Sequence, residues 1–417
     1  MKGERMDDIR VVELFAGVGG FRLGLEAASE RFKVIWANQW EPYQNEQFAF
    51  SCYTRHFGTS PSYICADIAK VKENVPEHEL LVGGFPCQDY SILKKDAKGI
   101  EGAKGRLWWE IDAILEKIRP KYVILENVDR LVRSPARQIG RDFSIILRCF
   151  YEKGYAVEWR VVNAADYGCA QRRRRTFIVA YHNTTAFYRR FAEDVCKQWL
   201  KTMHRYVVTD GIMAQAFPVQ SFRKDYFDQW IDELIFPSMQ DVTERQRARL
   251  HDAGIMINGR IYSLEVVPQR IPPIPLKNIL EQGIVNERYF LKEDELPQWI
   301  YKKGAKREVR KRTDGSEYVF TEGAMAFPDP LDKPSRTLVT SETKLSRTSH
   351  VVQDLLTGRL RTLTPIECER LNGFPDNWTA GMPDKMRYFC MGNALVVPVV
   401  TRLGMVVDFL MHFGEKE

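Results

Sequence analysis

No two of the eight cysteines stand in a C-x-x-C pair; positions 52, 65, 87, 149, 169, 196, 368 and 390 are scattered along the chain. This spacing argues against a zinc site and a disulfide framework, and for a reducing compartment. No metal is expected. Long unbroken apolar runs are also lacking. The most apolar stretch near the C-terminus, 394–411, is interrupted by Pro398, Arg402 and Asp408, so it reads as a core element and no membrane association is expected. Met1 to Arg10 is charged and has no apolar h-region, from which we expect no signal peptide. Internal repeats and low-complexity tracts are missing. A strong charge excess is missing too: +6 over 417 residues identifies no partner, so where charges cluster matters more. With 44% hydrophobic and 28% charged residues, the composition is that of a globular chain long enough for two domains.

What is there centres on Leu81-Val-Gly-Gly-Phe-Pro-Cys-Gln88. An apolar strand ends in two glycines, and Pro86 stiffens the turn that follows while pushing Phe85 toward an extended conformation. Cys87 then stands at the carboxyl end of a sheet, where ligands bind in open α/β folds. A thiolate there is a candidate nucleophile, weighed against the ordinary reading of a free cysteine as a small buried hydrophobe.

Before this stretch, 9–15 reads as a strand, Ala16-Gly-Val-Gly-Gly20 as a tight turn and 21–28 as a helix, a unit whose glycines let backbone approach a ligand. The pattern is G-x-G-G and implies no dinucleotide; a plain turn is the competing reading. A second strand, 33–38, ends at Gln39-Trp40-Glu41, where Trp40 either stacks on a purine or packs in the core. Asp67 and Ile68 close a third strand, and 79–84 is the fourth. After Cys87, residues 88–106 are polar and glycine-rich, with four lysines, and are expected to form a mobile lid. Helical periodicity from Leu107 to Ile118 stops at Pro120. The strand 122–128 carries Glu126, costly at a buried strand end unless it has a partner or a task. Beyond a helix over 138–153, strands 155–163 and 176–180 flank Gln171-Arg-Arg-Arg-Arg175. The α/β alternation stops at about His182 and resumes after Pro334, with a helix behind Thr364-Pro365. In between, Lys302, Lys303, Lys306, Arg307, Arg310, Lys311 and Arg312 form a basic strip, either a solvated loop, a nuclear-localisation-type cluster or a phosphate-contacting surface.

The ordered set Phe-Ala-Gly-x-Gly-Gly, Pro-Cys-Gln, Glu-Asn-Val, Gln-Arg-x-Arg-Arg and Gly-Asn closely resembles the DNA cytosine-5 methyltransferases over almost the whole chain, and bacterial restriction–modification enzymes in particular, those reading GATC among them. The resemblance implies an α/β, Rossmann-like S-adenosylmethionine-dependent methyltransferase fold with an inserted smaller target-recognition domain. The expected division is 1–181 as the N-terminal catalytic part, 182–333 as the target-recognition domain and 334–417 completing the catalytic domain. It implies Cys87 as nucleophile, Glu126 at the cytosine N3–N4 edge, and Arg173 and Arg175 lining the base pocket. Phe15, Gly17, Gly19, Gly20, Trp40, Asp67, Ile68, Pro86 and Asn393 border the cofactor, and Gln88 joins the basic strip in contacting DNA. Where the family usually has a glutamate for the ribose, this chain has Gln39, which accepts a hydroxyl without charge assistance. Glu41 can substitute, so the ribose ligand stays open between the two.

The chemistry needs these residue types. Addition of a thiolate to C6 makes C5 nucleophilic enough to take a methyl group, and an acid or shared proton at N3 neutralises the charge that moves into the ring. The cytosine must leave the duplex stack. Expected partners are S-adenosylmethionine, released as S-adenosylhomocysteine, double-stranded DNA and a cognate restriction endonuclease; a monomer in a bacterial cytoplasm, nucleoid-associated on DNA, is the expected state. A tRNA cytosine-5 methyltransferase is the nearest alternative, disfavoured by the large 182–333 segment. An adenine methyltransferase is disfavoured because no Asp/Asn-Pro-Pro-Tyr motif occurs. A catalytically silent DNA-binding protein of the same fold is the rival from another class, countered by intact Cys87, Glu126 and Arg175.

Overall fold

The computed structural model describes residues 7–42, 44–85, 106–134, 139–234, 249–312, 315–342 and 344–414. The chain divides into two compact units: Met1–Tyr167, Arg174–Ile271 and Leu395–Glu417 form the first, Gly168–Arg173 and Pro272–Ala394 the second.

The first unit is built on a ten-stranded mixed sheet. Its strands are β1 (Ile9–Leu14), β2 (Phe32–Asn38), β3 (Tyr63–Ile64), β4 (Leu80–Gly84), β5 (Tyr122–Val128), β6 (Tyr155–Asn163), β7 (Arg174–His182), β8 (Val219–Trp230), β9 (Ala253–Ile257) and β10 (Arg260–Pro268). Their order across the sheet is β3-β2-β1-β4-β5-β7-β6-β9-β10-β8. From β3 to β5 the pairing is parallel, and from β5 onward it is antiparallel. Parallel strands covered on both faces carry near-continuous apolar runs. Val11, Val12 and Leu14, Leu80 to Val82 and Val123 to Leu125 accordingly have no solvent exposure. The strand order reverses at β1, which lies between β2 and β4, so the carboxyl ends of these parallel strands open a crevice there.

The apolar C-terminal stretch is a core helix, Val397–Phe409, packed on the helix Gly20–Ala28. The contact is so close that a Cβ on Gly24 would stand 2.7 Å from Val400 Cβ. No single helix among the described residues is long and apolar enough to cross a membrane.

The first compact unit runs on to Ile271, within the segment 182–333. Residues up to Ile271 continue the sheet, and two buried charges on β6 explain the attachment. Glu158 accepts the amides of Ile212 (3.0 Å) and Met213 (2.8 Å) at the start of the helix Ile212–Ala216. Arg160, two residues along the same strand face, donates to the carbonyls of Val207 and Phe217 at 2.6 and 2.5 Å. Farther on, β9 and β10 form a hairpin through Asn258-Gly259, both at positive φ (51° and 78°), the geometry of a type I′ turn.

The second unit holds two small hairpins: β11 (Lys306–Lys311) with β12 (Glu317–Glu322), and β13 (Val351–Gln353) with β14 (Leu360–Thr362). The expected helix behind Thr364-Pro365 is present as Pro365–Asn372. Thr364 and Glu367 close a capping box, and Glu367 also forms a two-bond ion pair with the fully buried Arg361.

Candidate active site

The turn after β1 bends sharply enough that Phe15, a non-glycine, takes φ 53°, followed by Gly17 at 57° and Gly19 at 88°. A Cβ on Gly17 would meet nothing within 4 Å, whereas one on Gly19 would stand 2.3 Å from the Phe57 ring. One glycine leaves open space beside the backbone and the other lets the loop lie flat on the helix Phe48–Phe57. Gly20 then starts the helix Gly20–Ala28.

Two residues at the end of β2 hold the neighbouring loops. The Asn38 carbonyl accepts the Ala16 amide at 2.9 Å, and its buried side chain donates to the Ala66 carbonyl at 2.7 Å. The Gln39 side chain, itself buried, accepts the Gly17 amide through Oε1 at 2.7 Å. Trp40 is left 39% exposed, an open indole face and not a core residue. Asp67 caps the helix Ile68–Val71 by accepting the Ala69 amide at 3.1 Å, and Ile68 is buried beneath it. Glu41 has one carboxylate oxygen cut off from solvent with no donor, and burial raises the group's affinity for a proton.

Beneath the glycine turn, Glu13 is wholly buried on β1 and takes a hydrogen bond from Tyr53 at 3.0 Å. Burial pushes its carboxyl up to about 7, against the pull of Tyr53 and the Arg22 amide. An acid inside an otherwise apolar strand was the available sequence signal for this residue.

On the other side of β1, Gly84 ends β4 directly opposite Glu126 on β5. Glu126 is buried, and a Cβ on Gly84 would stand 3.3 Å from its Oε2, so a side chain at this position would crowd the carboxylate. β7 runs antiparallel to β5, so its start lies at the carboxyl end of β5, with Arg175 paired to Val128. Arg175 Nε thereby reaches 2.8 Å from Glu126 Oε1, an ion pair whose N–H is not aligned as a hydrogen bond to that oxygen. Asn127 turns back and donates to the Phe85 carbonyl at 3.2 Å. Phe85 is buried 6.0 Å from the Trp108 ring. Pro86, Cys87 and Gln88, and the expected lid as far as Gly105, lie outside the described residues.

A glycine turn, an exposed indole and a helix-capping acid after three adjacent strands, with a carboxylate–guanidinium pair on β5 and β7 beyond β4, make a site for a nucleoside-bearing ligand beside a polar planar one. A model of the C-5 cytosine-specific DNA methylases matches residues 9–407. The chain belongs to that family. It is 44% identical, over 97% of its length and 96% of the relative's, to the type II methyltransferase M.Sau3AI of Staphylococcus aureus. To M.NlaIV of Neisseria lactamica it is 26% identical over 98% of this chain and all of that one. Among solved structures it has the fold of S. pombe Dnmt2 methyltransferase, with a TM-score of 0.55 at 16% identity, covering 96% of this chain and 99% of that one. The chain is therefore a DNA (cytosine-5) methyltransferase, and the family implies S-adenosylmethionine as methyl donor.

In this methylase the remaining expected site residues belong to the second unit. Arg173 is 1% exposed and donates to the carbonyls of Gly392 (2.8 Å) and Leu338 (3.4 Å). Its guanidinium is thus engaged with the backbone just before Asn393, which ends the helix Asp384–Asn393 and is exposed. The basic strip is not uniform. Lys303 is 1% exposed, donates to the Ser349 carbonyl and is pushed down to about 8 by burial, so it offers no surface charge to a phosphate. Arg310 pairs with Glu308 and lies 3.5 Å over the Phe320 ring. Arg307, Arg310, Lys311 and Arg312 are exposed; Lys302 and Lys306 are partly so.

A serine–histidine–glutamate row elsewhere in the second unit does not form a hydrolytic site. His350 lies 3.0 Å from Ser335 Oγ and 2.9 Å from Glu342. All three are buried, and the serine hydroxyl donates to the Arg336 carbonyl at 2.9 Å, committing the proton a nucleophile would release.

Proposed function

We propose that this methylase acts on a flipped-out cytosine in a specific duplex DNA site, with Cys87 as nucleophile and Glu126 and Arg175 at the base. The Glu126–Arg175 pair beside Gly84, at the carboxyl end of the strand that leads to Cys87, carries this reading. The thiolate of Cys87 forms a bond to C6, and the electron pair displaced from the C5–C6 double bond makes C5 nucleophilic. Glu126, reaching the N3–N4 edge, supplies or shares the proton that neutralises the ring, and the Arg175 cation favours the same charge. S-adenosylmethionine supplies an electrophilic methyl group on a sulfonium. Loss of the C5 proton to a base then restores the double bond and expels the thiolate.

The residues on β1 to β3 fit the cofactor: open space at Gly17, an exposed Trp40 for the adenine, Asp67 and Ile68 at its amino edge. Phe15, Gly19 and Gly20 shape the turn, while Pro86 and Asn393 are assigned by resemblance. Arg173 is a positioning residue for the segment leading to Asn393. Gln88 and the exposed members of the strip, Arg307, Arg310, Lys311 and Arg312, contact DNA. A cognate endonuclease, as in type II systems, and a monomeric state complete the proposal.

Transfer of a labelled methyl group to duplex DNA, followed by bisulfite sequencing of DNA from a host expressing the chain, tests this. Labelled 5-methylcytosine in one short sequence, GATC being the first to examine, is the expected result. Label in transfer RNA and none in DNA would overturn it.

A further inference from the structure

Gln39 and Glu41 flank Trp40, and the structure separates their tasks. Gln39 spends its only side-chain oxygen on the Gly17 amide, a 2.7 Å bond that fastens the end of β2 to the glycine turn. One lone pair of that oxygen is thereby taken and the other is a neutral acceptor, whereas a vicinal diol held through its hydroxyl protons bonds more strongly to a charged one. Glu41 is in the opposite condition. Its backbone is tied down on both sides by the Gln47 amide, which bonds the Glu41 N–H at 2.8 Å and the Glu41 carbonyl at 3.0 Å. Its carboxylate makes no hydrogen bond or ion pair among the described residues, and Oε2 is closed off from water. Other carboxylates with an unbonded buried oxygen are compensated: Asp112 pairs with Lys153 at 2.7 Å, Glu126 with Arg175 and Glu369 with Arg387 at 2.9 Å, while Asp142 accepts the Ser134 hydroxyl through its other oxygen at 2.9 Å. Nothing compensates Glu41, and burial alone raises its proton affinity. A half-desolvated acceptor on a fixed backbone is costly until a donor arrives.

We propose that Glu41, two residues beyond the expected position, is the acceptor for the ribose diol of the cofactor, and that Gln39 instead holds the glycine turn. This rests on the reading of β1 to β3 as the cofactor site. The carboxylate is held beside the exposed indole on which the adenine stacks, and a charge-assisted bond to a hydroxyl is about twice as strong as a neutral one.

Calorimetry on the full chain, with S-adenosylhomocysteine and its 2′-deoxyribose analogue as probes, tests the assignment. The parent protein should bind the deoxy analogue about tenfold or more weakly. Glu41→Gln should bind S-adenosylhomocysteine about that much more weakly and lose most of the discrimination, while Gln39→Ala should weaken both probes alike and keep it. Should Glu41→Gln not fold, Glu41→Asp, which draws the carboxylate back by one methylene, should show the same loss of discrimination. Full discrimination in the Glu41 variants together with its loss in Gln39→Ala would overturn the proposal and return the diol to Gln39. Failure of the cofactor site itself reads differently: Trp40→Ala would then leave binding of both probes unchanged.

Discussion

Asn127 donates to the carbonyl of Phe85, two residues before Cys87, and so ties the end of β4 to the strand that carries Glu126. Removing a buried hydrogen-bond partner and leaving the carbonyl unsatisfied costs about 1–3 kcal/mol. Asn127→Ala should therefore lower kcat by roughly tenfold to a hundredfold while leaving cofactor affinity, set on β1 to β3, close to the parent value. Steady-state kinetics beside calorimetry check this; an unchanged kcat would reduce Asn127 to ordinary packing. Glu13 makes a pH prediction. Its folded carboxyl lies at about 7 against 4.5 for the free group. Between these values the folded chain holds a proton that the unfolded chain has released, so stability falls as pH rises through the window. The fall is at most roughly 3 kcal/mol, and Glu13→Gln should flatten it in urea unfolding at pH 5 and pH 7.5. An equal slope in the variant would place the titration elsewhere. Glu126, Trp40 and Asp67 stood out in the sequence because each is polar or aromatic at a strand end. Asn38 and Asn127 did not: each sits beside the expected residue and acts on backbone remote in the chain, which spacing does not reveal.

At the level of elements, the strands from β1 to β7 were legible because buried strands are short apolar runs between turn residues. The strands β8 to β10 were missed for two different reasons. Asn258-Gly259 between apolar runs is a hairpin signal that was there to be read. β8, in contrast, is a largely exposed edge strand whose aromatic and charged residues show no buried face. The hairpin β11–β12 carries the basic strip, and its alternation separates residues that adjacency in sequence had grouped. Arg307, Val309 and Lys311 share one face, while Lys306, Glu308 and Arg310 share the other. Neutralising Arg307 or Lys311 should weaken binding to all DNA sequences about equally and flatten the slope of log K against log salt by about one unit each. Lys303→Met should leave that slope unchanged, since the amine is buried against Ser349. A slope that flattens for Lys303→Met and not for Arg307→Gln would reverse the assignment of this hairpin.

Over the whole molecule, the resemblance carried the family, and physical reading of the strand ends carried the crevice around β1. The attachment of residues 207–217 to the sheet was not legible, because Glu158 and Arg160 hold it through backbone groups that leave no trace in composition. DNA carrying 5-fluorocytosine tests the covalent step. Fluorine at C5 cannot leave as a cation, so the reaction should stop after methyl transfer with the enzyme still bonded to C6. A denaturant-resistant adduct should form only with S-adenosylmethionine present, map by peptide mass to Cys87 and disappear in Cys87→Ala, which should still bind DNA through its phosphate contacts. An adduct that persists in Cys87→Ala, or that maps to any other cysteine of the chain, would contradict this assignment.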